Sequence, residues 1–185
     1  LVGVTGTNGK TTTTGLIRHL FNQHETAGSI GTLGAFDGKG EPVSSTAGSL
    51  TTPGPIDLQA TLASLVGRGA THVVMETSSH SLDQGRLDGV TFAAAVFTNL
   101  TRDHLDYHGT MEAYLAAKLR LSALLRLEGV EVVNLDEEAW RSIPRRTPRL
   151  VAPASTAGSR PAGLPSSCAP TTPSRGSPMS ASPSS

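Results

Sequence analysis

The chain has 185 residues, 37% of them hydrophobic, 16% charged and 4% aromatic, with one cysteine and a formal net charge of zero. One cysteine excludes an internal disulfide framework and a cysteine-rich zinc module, and zero net charge argues against a nucleic-acid partner. No apolar run approaches the roughly 18 residues that cross a bilayer and no basic leader opens the chain, so it reads as a cytoplasmic domain with no membrane partner.

In chain order, Leu1-Val2-Gly3-Val4-Thr5 reads as a buried strand. A glycine loop, Gly6 to Thr12, then enters a helix whose stripe is Leu16, Ile17, Leu20 and Phe21. Residues 28–50 hold Gly31, Gly34, Gly38, Gly40 and Gly48 with an Asp37-Gly38 turn signal, and read as a hairpin or mobile loop. Pro55 opens a second helix with a face of Ile56, Leu58, Leu62, Leu65 and Val66, ending at Gly67. Thr71 to Glu76 is the next strand and Ala93 to Phe97 another. A polar loop from Thr98 to Gly109 follows, then a helix over 111–126 and a fourth strand, Val130 to Asn134.

The last 45 residues differ from the rest. Residues 1–140 carry 9 basic and all 15 acidic residues, a net of −6, whereas residues 141–185 carry 6 Arg and no acid, a net of +6. The tail also holds 9 of the 12 Pro and 11 Ser, with neither strand nor helix periodicity, so it is expected to be disordered. Its residues are those of GC-rich codons, as if the reading frame had changed near Arg141. The functional domain is thus expected within residues 1–140.

Strands alternating with helices imply an α/β domain with a parallel sheet and right-handed crossovers. Ligands of such sheets bind beyond the carboxyl ends of the strands. Three polar loops fall there: Gly6 to Thr12, Glu76-Thr77-Ser78-Ser79-His80, and Asn99 to His108.

Glycines at 6 and 9 allow a tight turn that aims backbone N–H groups inward at the positive end of a helix. Lys10 would add a charge on the β- and γ-phosphates, and Thr11 a hydroxyl for Mg²⁺. The generic pattern G-x-x-x-x-G-K-[ST] requires glycine where Val4 stands, so this loop departs from it. Glu76 ends an apolar strand; it is either a solvated strand-end residue or, beside a phosphate loop, a Mg²⁺ ligand. Lys118, read alone among Ala113, Ala116, Ala117 and Leu121, is a lysine snorkelling at the surface.

Three stretches together resemble the central domain of the Mur ligases: Thr5-Gly6-Thr7-Asn8-Gly9-Lys10-Thr11-Thr12, Met75-Glu76-Thr77-Ser78-Ser79-His80, and Phe97 to Gly109 with its Asp103-His104-Leu105-Asp106-Tyr107-His108. Met111 to Lys118 extends the likeness, which covers residues 2–140. It is nearest to the branch that adds the third amino acid of the peptidoglycan stem peptide. The resemblance implies that Gly6, Thr7, Asn8, Gly9, Lys10, Thr11 and Thr12 bind ATP, with Asn99 near the nucleotide. It implies Mg²⁺ ligands at Thr11, Glu76, His104 and Lys118, the lysine being carried as a carbamate. Thr51, Thr52, Ser78, Gln84 and Arg86 would hold the UDP-MurNAc-dipeptide; Leu50 stands where some relatives have Asn.

The implied activity is ATP-dependent amide ligation through an acyl phosphate, by a monomer acting on a UDP-linked peptide and an amino acid. Lys10, Glu76, His104 and Lys118 would carry the catalysis. Family members have three domains, so the chain resembles an incomplete, inactive piece. A folylpolyglutamate synthase-like ligase and a nucleotide-binding module without ligation are the alternatives; Thr51-Thr52-Pro53 and the Asp103 to Gly109 run favour the muramyl branch.

Overall fold

The computed structural model describes residues 1–43, 50–143 and 149–151. Among these residues eight strands form one sheet in the order β4-β3-β2-β5-β1-β6-β7-β8. They are β1 (Val2–Thr5), β2 (Ala27–Gly31), β3 (Gly34–Phe36), β4 (Pro42–Val43), β5 (His72–Glu76), β6 (Phe92–Phe97), β7 (Leu125–Val133) and β8 (Arg149–Val151). All neighbours are parallel except β2–β3 and β3–β4, which are antiparallel. Among the described residues five α-helices accompany them, α1 (Lys10–Phe21), α2 (Pro55–Gly67), α3 (Ser79–Asp83), α4 (Leu105–His108) and α5 (Met111–Ala123), with a 3₁₀ turn at Glu138–Ser142. No helix among the described residues is long and apolar enough to cross a membrane.

The central position of β1 decides where the site lies. Val2 pairs with Val74 on one side and Ala94 on the other, and Val4 with Glu76 and Val96. The strand ends, and the three polar loops, therefore emerge side by side. Period-2 alternation sends Val2 and Val4 to one face, where Ile17 and Phe21 of α1 pack on them and on Val74. Gly3 faces the other way, against Phe92 and Leu121, where a Cβ would lie 2.9 Å from Leu121 Cδ1. That face carries the larger core, with Leu58 and Leu65 of α2, Leu121 of α5, Phe92 and Phe97.

Several expectations are corrected. The predicted helical stripes are only partly covered: in α1 Leu16 and Leu20 are 59% and 66% exposed while Ile17 and Phe21 are half-buried, and in α2 Leu58 and Leu65 are buried while Ile56 and Val66 are 84% and 65% exposed. The glycine-rich segment does form hairpins, but its first strand, β2, also extends the parallel sheet against β5, with Gly28 small enough to lie under α2; a Cβ there would press on Leu65. The Asp37-Gly38 turn is present: the Asp37 carboxylate accepts from Lys39 N and Glu41 N at 3.0 Å each and from Arg68 Nη1 at 3.1 Å. Helix α5 stops at Ala123, three residues short of the expected Arg126, and Leu125 starts β7 instead. Between the pairs Phe92↔Leu125 and Ala94↔Val130 the register of β7 shifts, and the extra residues bulge outward with Leu127 93% exposed. Helices α3 and α4, of 5 and 4 residues, are too short to show periodicity in sequence.

Past Trp140, the sheet gains β8 alongside β7, and Trp140 itself is buried against Phe97, with ring centroids 5.3 Å apart. Residues 144–148 and 152–185, where disorder was expected, lie outside the described residues, as do 44–49.

Candidate nucleotide and metal site

The loop after β1 takes backbone conformations that glycine permits. Gly6 has φ +145°, and a Cβ there would collide with Thr98 Oγ1; Gly9, the N-cap of α1, has φ +80°. The loop is bonded to the end of β6 rather than standing free. Thr7 N donates to Asn99 O (2.9 Å), Thr101 N donates to Thr7 Oγ1 (2.9 Å), and Asn8 N donates to Asn99 Oδ1 (2.9 Å). Thr7 Oγ1 also meets the hydroxyl of buried Tyr114 at 3.2 Å. Thr7, Asn8 and Asn99 thus shape the loop, while Thr11 and Thr12 sit in the first turn of α1, where N–H groups lack intrahelical acceptors. No acidic residue occupies that turn, which leaves its positive end uncompensated.

Lys10 folds back over this loop, donating to Gly6 O (3.1 Å) and Thr7 O (2.8 Å). Burial lowers its pKa, against the pull of the Glu76 and Asp103 carboxylates. Lys118 reaches the same carbonyl from α5: its Nζ donates to Gly6 O at 2.8 Å and lies 4.3 Å from the Tyr114 ring centroid. Its exposure is 1%, so the surface reading is wrong. The helix places it inward, toward the loop after β1. Burial, with repulsion from Lys10, pushes the Lys118 ammonium down to about 7.

Glu76 is equally enclosed, at 1% exposure, which overturns the solvated strand-end alternative. Thr32, at the turn after β2, donates to it twice: from its backbone N to Oε1 (2.9 Å) and from its hydroxyl to Oε2 (3.1 Å). A cavity of about 260 Å³ opens beside these groups, lined by Lys10, Thr51, Thr52, Ser78, Arg86, His104 and Lys118, with Leu50, Ser79 and His80. Thr52 Oγ1 donates to Glu76 O (2.9 Å), and Arg86 Nη1 to Thr52 O (3.3 Å). Gln84 is exposed and outside the lining; its Oε1 accepts from Arg86 Nη2 and its amide donates to Tyr107 Oη, so it acts on the arginine.

His104 adopts φ +50°, the one described non-glycine residue with positive φ, and its Nε2 stands 3.5 Å from Asp103 Oδ2. Its ring meets His80 edge-on at 4.9 Å, and His80 also lies against Tyr107 and His108. His108 Nε2 meets Ser79 Oγ at 3.0 Å, and Tyr107 Oη donates to Asp83 Oδ2 at 3.0 Å. The loop of β6 is thereby docked on α3. Burial, reinforced by its histidine neighbours, lowers the pKa of His80. Thr32, Tyr114, His80 and His108 escaped assignment from sequence: Thr32 lies in an anonymous glycine-rich run, and rings that act by stacking have no spacing signature.

No group of three or more His, Cys, Asp or Glu side chains able to hold a metal occurs among the described residues. Mg²⁺ does not require one, since it keeps water and phosphate oxygens and takes one or two carboxylates. A buried carboxylate with lone pairs beyond its two Thr32 bonds, beside a phosphate-type loop, fits that ion.

Comparison with known proteins identifies a family for the chain. A family model, the Mur ligase middle domain, matches residues 4–160. The UDP-N-acetylmuramoyl-L-alanyl-D-glutamate–2,6-diaminopimelate ligase of Synechococcus elongatus is 52% identical over 148 residues, covering 80% of this chain and 29% of that protein. A solved structure of a ligase of the same name superposes with a TM-score of 0.64 at 37% identity, over 82% of this chain and 31% of the other. A folylpolyglutamate synthase solved with AMPPCP and folate reaches a TM-score of 0.60 at 18% identity, over 82% and 44%, a likeness of fold alone. The chain spans about 29% of the length of the curated relatives it matches. By the extent of the family match and the arrangement of its loops, the chain belongs to the Mur ligase middle-domain family.

Proposed function

We propose that this chain carries the nucleotide-binding part of an ATP-dependent amide ligase of cytoplasmic peptidoglycan synthesis. The reaction joins an amino acid, meso-diaminopimelate, to the D-Glu carboxyl of UDP-MurNAc-L-Ala-D-Glu. The supporting observation is the convergence of Lys10, Lys118, Arg86, His104 and the Thr51-Thr52 pair on one cavity at the carboxyl edge of the sheet.

In the first half-reaction a D-Glu carboxylate oxygen bonds to the γ-phosphorus as the β,γ-bridge bond breaks, releasing ADP. In the second, the incoming amine bonds to the acyl carbon, the acyl C–O bond breaks to release phosphate, and the amine loses a proton. Lys10 exchanges its two loop carbonyls for phosphate oxygens, placing a fixed charge where negative charge moves. Arg86, braced by Gln84 and Thr52 O, holds the carboxylate in line. Thr11, Glu76, His104 and the Lys118 carbamate are the residues that would hold Mg²⁺, which neutralises phosphoryl charge when bound.

A lysine near pKa 7 is half neutral at physiological pH, which suits carbamate formation. The amine nitrogen bonds to the carbon of CO₂, one C–O π bond becomes a carboxylate, and a proton leaves the nitrogen. With ¹³C-bicarbonate, the wild-type chain should show a carbamate resonance that grows as pH rises through about 7. Lys118→Met should lack it. Equal spectra from both would contradict the assignment.

The substrate is tested by calorimetric titration with AMPPCP and then with UDP-MurNAc-L-Ala-D-Glu. Both are expected to bind, and Arg86→Ala is expected to weaken the second roughly tenfold or more while sparing the first, as for a lost charge-assisted contact. Binding of a folate in place of the UDP-linked dipeptide would overturn this substrate.

A further inference from the structure

We infer that Thr32 is the positioning residue of the Glu76 carboxylate and links it to the substrate side of the cavity through Thr51. The inference rests on the reading of Glu76 as a metal ligand.

The two residues are far apart in sequence and meet because β2 and β5 are parallel neighbours, Ile30 pairing with Met75. The pair Gly31↔Gly34 closes the β2–β3 hairpin, leaving Thr32 and Leu33 as its two-residue turn. A turn this short fixes the direction of the Thr32 N–H. Gly31 contributes by what it lacks: a Cβ there would land on the Glu76 carboxylate. The end of β2 is therefore a cradle, open at Gly31 and lined with both donors of Thr32.

One oxygen of the carboxylate takes the backbone N–H and the other the hydroxyl, at 2.9 and 3.1 Å. Among the described residues these are the side-chain oxygens' hydrogen bonds, and together they fix the plane of the group. The Thr32 hydroxyl also lies 3.2 Å from Thr51 Oγ1. A hydroxyl has a single proton. With that proton on Glu76, Thr51 donates the remaining bond, giving a chain from Thr51 to Thr32 to the carboxylate. A group that holds a ligating carboxylate in one orientation typically sets metal affinity by about 10- to 100-fold.

The test uses Mn²⁺ as a paramagnetic stand-in for Mg²⁺, with the free ion followed by electron paramagnetic resonance in solutions of the 185-residue chain. Thr32→Val keeps the shape and the N–H but loses the hydroxyl, and is expected to weaken Mn²⁺ binding about 10- to 100-fold. Thr32→Ser keeps the hydroxyl and should restore most of the loss, with thermal melts of both variants close to wild type. Wild-type binding by Thr32→Val would overturn the inference, and so would equal losses in the Val and Ser variants. Glu76→Gln separates the two readings: if wild type takes up no Mn²⁺, or Glu76→Gln takes it up unchanged, the metal role of Glu76 fails and this inference with it.

Discussion

Replacing Lys10 with Ala is expected to weaken binding of an ATP analogue by roughly ten- to a hundredfold while leaving the melting temperature nearly unchanged. A charge-assisted contact is worth about 1.5–3 kcal/mol, and each 1.4 kcal/mol is about tenfold in affinity. Stability should hold because Gly6 O, one of the two carbonyls Lys10 caps, also accepts from Lys118. Thr11→Ala should behave differently, weakening binding chiefly when Mg²⁺ is present. Calorimetric titrations with and without the metal distinguish the two, and equal affinity of wild type and Lys10→Ala would refute the phosphate-loop role.

The second large effect is structural. Phe97→Ala should destabilise the domain by about 3–5 kcal/mol, the usual cost of emptying a buried phenylalanine site. At roughly 2–4 °C per kcal/mol for a chain of this size, the melting temperature should fall by about 6–20 °C. Phe97 is 1% exposed at the last position of β6, and its ring rests on the only tryptophan, Trp140. The emission of Trp140 should shift to the red as water enters. An unchanged melt and spectrum would show that the contact contributes little. The residue after Phe97 begins the segment that ties down the phosphate loop, so ligand affinity should fall in step with stability.

Much of this site was legible in the sequence because its chemistry lies in contiguous runs. Gly6 to Thr12 and Asn99 to His108 follow strands, Met75 to His80 spans the end of one, and parallel pairing of β5, β1 and β6 brings them together. Composition placed a boundary at residue 140, yet β8 (Arg149–Val151) continues the sheet beyond it and the family match runs to residue 160. The roles of Lys118 and Thr32 were harder to read for opposite reasons. Lys118 shows no burial signal among alanines, since it is buried by the loop 112 residues earlier that it touches. Thr32 depends on β2 entering the sheet, and a strand of Ala-Gly-Ser-Ile-Gly has too few branched or apolar residues to announce itself. The exposed halves of the α1 and α2 stripes follow from the same limit: periodicity gives the direction of an apolar face, not its width.

Strand β4 has a consequence for how this molecule behaves in concentrated solution. Among the described residues it is the outermost strand on its side of the sheet, and it includes Pro42. A proline has no N–H to offer, so the ladder this strand presents is interrupted at Pro42. The neighbouring turn is clamped by Asp37 and Arg68, which resists the unfurling that would lengthen that ladder. Pairing by a foreign strand at this border is disfavoured first by the missing proline N–H, which salt does not screen, and only secondarily by the Asp37–Arg68 pair, which salt weakens.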